Sequence, residues 1–347
     1  MAAELRAAGA TVHVLPMRRI TTSGTTRYWV NYLAAWPVSV IRLAALARRL
    51  DVGVVHTNSL HSWYGWAAAA ITRRPHVWHA REIVVQSGAA LRLERVLCRR
   101  FADTVVAVSA AVAAQLDPAN VVVVYDQVDP DEFRPGRAGS FRARIGLADD
   151  AVVVGALGRV DVWKGLEVLL DAVPTMQRER PGLQVVVAGP PVAGKEAYAT
   201  RLAERARVMP GVRWLGQRDD AAELVADMDV LVVPSTEPEP FGLTLIEALA
   251  SGVPVVATAA GGPLEILGPK PGPAGRLVPP GDAQHLAAAV LELLPDGPSG
   301  IEYRRGRPVL PTATPPGDLP AVFQAALSGK RRRRGRGREN RRRNVAN

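Results

Sequence analysis

The sequence predicts an α/β protein of two Rossmann-like lobes, each a parallel sheet wrapped by helices, with the two sheets facing a central cleft. Three observations carry this. Short valine runs such as 121–124 and 185–187 suit strands buried on both faces of a parallel sheet. Apolar runs alternate with helical patterns along the chain, the signature of βαβ units. A Pro-, Gly- and Asp-rich stretch over 126–150 interrupts the series once, as a linker does. At 347 residues and 48% hydrophobic, the chain can build two cores and is excluded from the disordered class.

Taken in order, the chain opens in a helix-like MAAELRAAG with no signal-peptide pattern. Strands are expected at 11–15, 52–56, 76–80, 104–108 and 120–125, with helices near 38–50, 60–72, 89–102 and 109–116. The apolar stretch 28–46 contains Asn31, Pro37 and Arg42, which makes it too interrupted for a bilayer span and better read as one or two buried helices. Beyond the linker, strands are expected at 151–157, 183–188, 212–215, 229–234, 254–258 and 275–278, and helices near 164–179, 196–208, 219–227, 242–251 and 282–294. After Pro295 the pattern decays. The expected division is a first lobe over 1–135, a second over 136–295, and an irregular, disordered Arg-rich tail over 296–347.

The net charge of +10 belongs to that tail, because residues 330–343 hold ten Lys/Arg against Glu339 and the rest of the chain carries only +1. Such a run is ordinarily a solvated appendage, although it suits non-specific contact with nucleic acid or anionic lipid. Cys98 is the single cysteine, so no intrachain disulfide forms and a reducing cytoplasm is expected.

In an open α/β sheet the residues that follow strands hold the ligand. After the strand at 229–234 comes STEPEPFGLTLIEALASG, with Glu239 in a loop, Phe241 and Gly242 at a helix start, then Leu243 and Glu247. The free N–H groups of that helix start suit an anion, and Gly242 permits close approach to backbone. Glu247 lies about 9 Å further along at 1.5 Å per residue, where a carboxylate can accept from two vicinal ribose hydroxyls. After the strand at 151–157 comes GRVDVWKGLEVLLDA, where Arg159 and Lys164 can clamp a diphosphate beside another helix start. The plain alternative for all four charges is solvated side chains around turns. A near match to a phosphate-binding loop, GPPVAGKE at 189–196, fails because Glu196 replaces the magnesium-ligating Ser/Thr and two prolines remove amide donors. In the first lobe, His79 ends the strand HVWHA, and Arg81 and Glu82 follow it, either paired with each other or reaching an acceptor.

The combination GR-x4-KG, EPFG-x4-E and SGVPVVAT-x2-GG, with VVHTNS, AVSAAV and VYDQVDPDEFRP elsewhere, resembles the family 4 retaining glycosyltransferases of the GT-B fold. The resemblance runs over residues 1–294. It implies that Arg159 and Lys164 hold the donor phosphates, that Glu239 faces the donor sugar, and that Glu247 binds ribose. It also implies that the backbone at Phe241, Gly242 and Leu243 meets the sugar and phosphates, and that His79 joins Glu239 at the transferred sugar. The family pattern has a first strand and a glycine-rich loop ahead of the helix that MAAELRAAG represents, so the chain reads as N-terminally truncated. Residues 296–320 depart from it, 319–327 is similar to its last helix, and Gln127 stands where glycine is usual.

The implied reaction moves a hexose from a UDP- or GDP-sugar to a hydroxyl of a glycan, lipid or small metabolite with retention, with no cofactor and no metal. The implied partners are a nucleotide sugar and a hydroxyl acceptor, in the cytoplasm or peripherally at the inner face of the membrane. Nucleic acid is not expected beyond non-specific binding by the tail. The alternatives are a nucleotide-sugar epimerase of the same architecture and a catalytically inactive sugar-nucleotide-binding remnant.

Overall fold

The valine run 185–187 forms a buried strand, whereas 121–123 forms a sheet-edge strand with Val122 and Val123 exposed, contrary to the expectation of burial on both faces. The computed structural model describes residues 2–18, 25–85, 87–116, 120–139, 141–269, 272–294, 300–312, 314, 315 and 317–328. The chain divides into two units. The first takes in the described residues up to Val108, those from Val112 to Val124, and those from Asp318 onward; the second is Ser109–Ala111 with Tyr125–Gly317.

In the first unit, β1 (Val55–Thr57), β2 (His76–Ala80), β3 (Thr104–Ala107) and β4 (Val121–Val123) form a parallel sheet in that order. All five residues of β2 are buried, as a central parallel strand requires. The helices are α1 (Ala2–Ala7), α2 (Thr26–Arg49), α3 (Tyr64–Thr72), α4 (Gly88–Phe101) and α5 (Ala110–Ala114). The start of α4 is fixed by Ser87, whose hydroxyl accepts from the Ala90 N–H at 3.2 Å.

Two expectations fail here. Residues 11–15 form no strand and join no ladder among the described residues, and Val14 is 79% exposed. Alternation is a local signal, whereas a strand needs a neighbour to pair with. The stretch 28–46 forms one helix, within the expected one or two, but that helix is only partly buried. This is α2, which carries Pro37 inside it and buries only Tyr32, Ser39, Val40, Ala44 and Ala47. Pro37 is on the exposed side, where the carbonyl it frees can meet water. By length and composition alone α2 is long and apolar enough to cross a membrane, contrary to the sequence expectation.

The second unit opens with α6 (Phe141–Arg144). It then alternates β5 (Val153–Leu157), α7 (Leu166–Glu179), β6 (Gln184–Ala188), α8 (Glu196–Arg207), β7 (Val212–Gly216), α9 (Ala221–Ala226), β8 (Val230–Val233), α10 (Leu243–Ala250), β9 (Val255–Thr258), α11 (Gly262–Leu267), β10 (Gly275–Val278) and α12 (Ala283–Leu293). Its six parallel strands run β10-β9-β8-β5-β6-β7. The chain winds outward from β5 through β6 and β7, then returns to lay β8 on the other side of β5. That reversal opens a crevice beyond the C-terminal ends of β5 and β8, the usual ligand position in such a sheet.

Among the described residues after 295, helices stand where the sequence suggests an irregular tail. Ile301–Arg305 forms a helix, α13, and Leu319–Ser328 forms another, α14. Arg304 Nε donates to the Asp227 carboxylate at 3.2 Å and Arg307 Nη2 to Asp229 at 2.6 Å, both inside the second unit. Arg142 Nη2 also reaches Asp229, at 2.9 Å. Leu319, Val322, Phe323 and Ala326 of α14 pack with Val77, Val106 and Val124 in the first unit. Sequence periodicity missed α13 because paired arginines inside a core look like surface charge when read locally, whereas α14 falls on 319–327, the segment likened to the family's last helix. The basic run at 330–343 lies outside the described residues.

Candidate donor site in the second unit

The site is built from two loops that the strand order makes neighbours. The first leaves β5 through Gly158 and Arg159. Asp161 then accepts from the Val162 N–H at 2.7 Å, starting a 3-10 turn over Val162–Lys164. Gly165 follows with φ +65, and a Cβ there would lie 1.9 Å from the Pro234 carbonyl oxygen, so only glycine lets the two loops close. The second loop leaves β8 at Pro234, and the Thr236 N–H donates to the Trp163 carbonyl at 2.8 Å.

That closure brings Lys164 to Glu239. Lys164 Nζ donates to Glu239 Oε2 at 2.6 Å, and Ser235 Oγ donates to the same oxygen at 3.0 Å. Lys164 Nζ also sits 4.3 Å from the centroid of the Trp163 ring. Glu239 is 7% exposed, so its carboxylate is held by this pair and not by water. Its backbone is pinned from the other side: its N–H donates to the Ala260 carbonyl at 3.2 Å, and its carbonyl accepts from the Gly262 N–H at 2.8 Å. A Cβ on Gly261 would lie 2.1 Å from the Glu239 carbonyl oxygen, and one on Gly262 would lie 2.2 Å from that of Phe241. The paired glycines after β9 are therefore the floor beneath the Glu239 loop, a role that the sequence motif contained but did not reveal.

Phe241 is buried, Gly242 caps α10 with φ +106, and Leu243 begins the helix. Arg159 is exposed and makes no ion pair among the described residues. A small cavity of about 20 Å³ is bordered by Gly158, Arg159, Lys164, Leu166, Pro234 and Thr244. Thr244 and Ser235 were not singled out in the sequence, where a lone hydroxyl carries no signal. Glu247, half-buried in α10, has its carboxyl pushed up to about 7 by burial and by the charge of Glu132. Arg159, Lys164, Glu239, Phe241, Gly242 and Leu243 thus belong to adjoining loops, with Glu247 one to two turns further along α10.

The other candidates fall elsewhere. His79 is buried at 4% exposure in β2 of the first unit, its ring 5.5 Å from that of His56. The Glu82 carboxylate braces the loop after β1, accepting from the Ser59 hydroxyl at 2.5 Å and from the Leu60 N–H at 3.0 Å. It also accepts from the backbone N–H of Arg81 at 3.1 Å. The loop at 189–196 is no phosphate cradle: Lys195 pairs with Asp161, and Glu196 accepts from the Gly194 N–H at 3.0 Å.

Comparison with known proteins agrees with this construction. Residues 1–132 match the model described as Glycosyltransferase Family 4, and residues 151–296 match that described as Glycosyl transferases group 1. The chain is 34% identical over 294 residues to a D-inositol 3-phosphate glycosyltransferase of Geodermatophilus obscurus, covering 78% of this chain and 58% of that one. It is 31% identical over 287 residues to the Mycobacterium marinum protein of the same name, covering 76% and 60%. The chain therefore spans about three fifths of the length of these curated relatives. Among solved structures, Anabaena HepE in complex with UDP and glucose is similar at a TM-score of 0.69 and 28% identity, over 78% of this chain and 77% of that one. Sucrose-phosphate synthase from Thermosynechococcus elongatus shares the fold at a TM-score of 0.64 and 24% identity, over 90% and 79%.

Two parallel-sheet units, the second with its site loops beyond β5 and β8, are the GT-B architecture. Within that class the chain belongs to glycosyltransferase family 4, whose two domain models it matches in succession.

Proposed function

We propose that this chain transfers a hexose from a UDP- or GDP-sugar to an acceptor hydroxyl, with retention at the anomeric carbon. The observation that carries the reading is the Lys164–Glu239 pair, 2.6 Å apart beside the start of α10 and close to the unpaired Arg159. In the proposed reaction the bond from the anomeric carbon to the diphosphate oxygen breaks, the acceptor oxygen takes that carbon, and the acceptor proton passes to the leaving phosphate. The negative charge that develops on the diphosphate is met by Arg159, Lys164 and the free N–H groups at the start of α10. No metal is needed in this scheme. Glu247 accepts from the ribose hydroxyls, and Glu239 takes up the donor sugar. His79, in the first unit, is assigned with Glu239 to the transferred sugar. HepE was solved with UDP and glucose and the curated relatives are named for an inositol phosphate, which favours a UDP donor and a polyol phosphate acceptor.

The test is a product assay with UDP- and GDP-hexoses, with and without inositol phosphate, read by anomeric NMR signals. Free nucleotide and a retained anomer should form only when acceptor is present. Conversion of the donor sugar without acceptor would favour the epimerase instead, and nucleotide binding without any turnover would favour an inactive binding protein.

A further inference from the structure

A cationic groove lies in the first unit, at the end of β2 opposite to His79. The chain's near-neutral body conceals a division: residues 1–124 carry fourteen arginines and no lysine against six acids. Many of these arginines gather where α2, α3 and α4 end. There a concavity of about 590 Å³ is lined by Arg73, Arg74, Arg99 and Arg100, with Phe101 and Asn120. His76 and Asp103, also in its wall, stand at the start of β2 and just before β3. The groove is therefore at the opposite end of the sheet from the C-terminal strand ends where Rossmann-like folds bind substrate.

Several features show that it is more than scattered surface charge. Arg73 and Asp51 are the non-glycine residues with positive φ among the described residues, at +55 and +47. Both sit at this end, and Asp51 pairs with Arg74 at 2.5 Å. A left-handed non-glycine residue is strained, and glycine would relieve that strain at either position. Arg100 is braced, its guanidinium 5.5 Å from the centroid of the Phe101 ring, which stacks on Trp66 at 4.2 Å. Arg73 and Arg100 make no ion pair among the described residues. A helix C-terminus carries roughly half a negative charge, so the ends of α3 and α4 absorb only part of this cationic surplus. Asp103 is engaged in part by the His76 N–H at 2.9 Å, and Asp51 by Arg74.

We infer that this groove binds a phosphate-bearing anion, through Arg73 and Arg100 flanked by Arg74 and Arg99. Fork-shaped guanidiniums on two helix ends match the several oxygens of a diphosphate or a phosphodiester. The phosphate can belong to a soluble anion or to a lipid headgroup, and one pair of measurements separates these sources.

The chain is titrated with inorganic pyrophosphate by calorimetry in an Arg159→Ala/Lys164→Ala background, which removes the proposed donor clamp from the reading. Adding Arg73→Gln and Arg100→Gln should weaken pyrophosphate binding about tenfold or more, as loss of two charged hydrogen-bond donors implies. With Arg159 and Lys164 intact, the same pair should leave UDP affinity and the thermal midpoint unchanged. In the second arm, flotation with phosphatidylglycerol vesicles is compared with phosphatidylcholine vesicles. Loss of vesicle binding in R73Q/R100Q assigns the phosphate to a lipid; loss of pyrophosphate binding alone assigns it to a soluble anion. Pyrophosphate and vesicle binding that are both indifferent to R73Q/R100Q would overturn the site, whatever the donor site does.

Discussion

Lys164 and Glu239 stand 75 positions apart in sequence, yet Lys164 Nζ donates to Glu239 Oε2 at 2.6 Å. A cation assigned to phosphates and a carboxylate assigned to a sugar therefore occupy one corner before any ligand arrives. The pair keeps a desolvated carboxylate compensated and presents the ammonium in a fixed direction. Under the proposed function, the donor's phosphate oxygens would replace part of that ion pair.

Lys164→Ala and Arg159→Ala should each weaken nucleoside diphosphate binding by about 1.5–3 kcal/mol, the worth of a hydrogen bond to a charged group. Calorimetric titration of both variants checks this. Unchanged affinity in both would remove them from the phosphate site.

Glu239→Ala should spare binding of the free nucleotide and lower transfer, because its carboxylate is assigned to the sugar. Glu247→Ala should do the reverse and weaken the nucleotide itself. Swapped results in the same two assays would mean that the two roles are exchanged.

The carboxyl of Glu247 is raised from 4.5 to about 7, chiefly by burial and then by Glu132. A group whose folded pKa is raised stabilises the fold fully below its unfolded pKa and loses that contribution as pH rises through the folded one. Glu247→Gln should therefore raise the melting temperature at pH 8 and change it little at pH 4. Ribose hydroxyls donate to the ionised form, so wild-type nucleotide affinity should rise with pH through about 7 while that of Glu247→Gln stays flat.

Gly261→Ala would set a Cβ 2.1 Å from the Glu239 carbonyl oxygen at φ +76. Strain of about 1–3 kcal/mol is expected, read as a lower denaturation midpoint, together with reduced transfer as the Glu239 loop shifts. Wild-type stability in Gly261→Ala would show that the loop relaxes freely.

Arg304→Ala would leave buried Asp227 without one of its partners. The second unit should lose about 3–5 kcal/mol, as when one member of a buried ion pair is removed. Urea unfolding measures it, and a loss below about 1 kcal/mol would reduce the pairing to that of a surface salt bridge.

Much of this protein is legible locally. The alternation of valine runs with helical periods placed β2 at His76–Ala80 and β10 at Gly275–Val278, and put Arg159, Lys164 and Glu239 in loops after strands. These features depend on which side chains recur every two or every three to four residues, and a window of sequence contains that information. Only the tertiary structure decided that β8 lies beside β5, and hence that Lys164 meets Glu239, since strand order is a pairing between distant segments. The same distance in sequence hid the return of α14 to the first unit and the burial of Arg304 and Arg307, whose meaning depends on Asp227 and Asp229. In the other direction, 11–15 alternates like a strand and stays unpaired among the described residues, because periodicity states what a segment can become while a ladder requires the neighbour that accepts it.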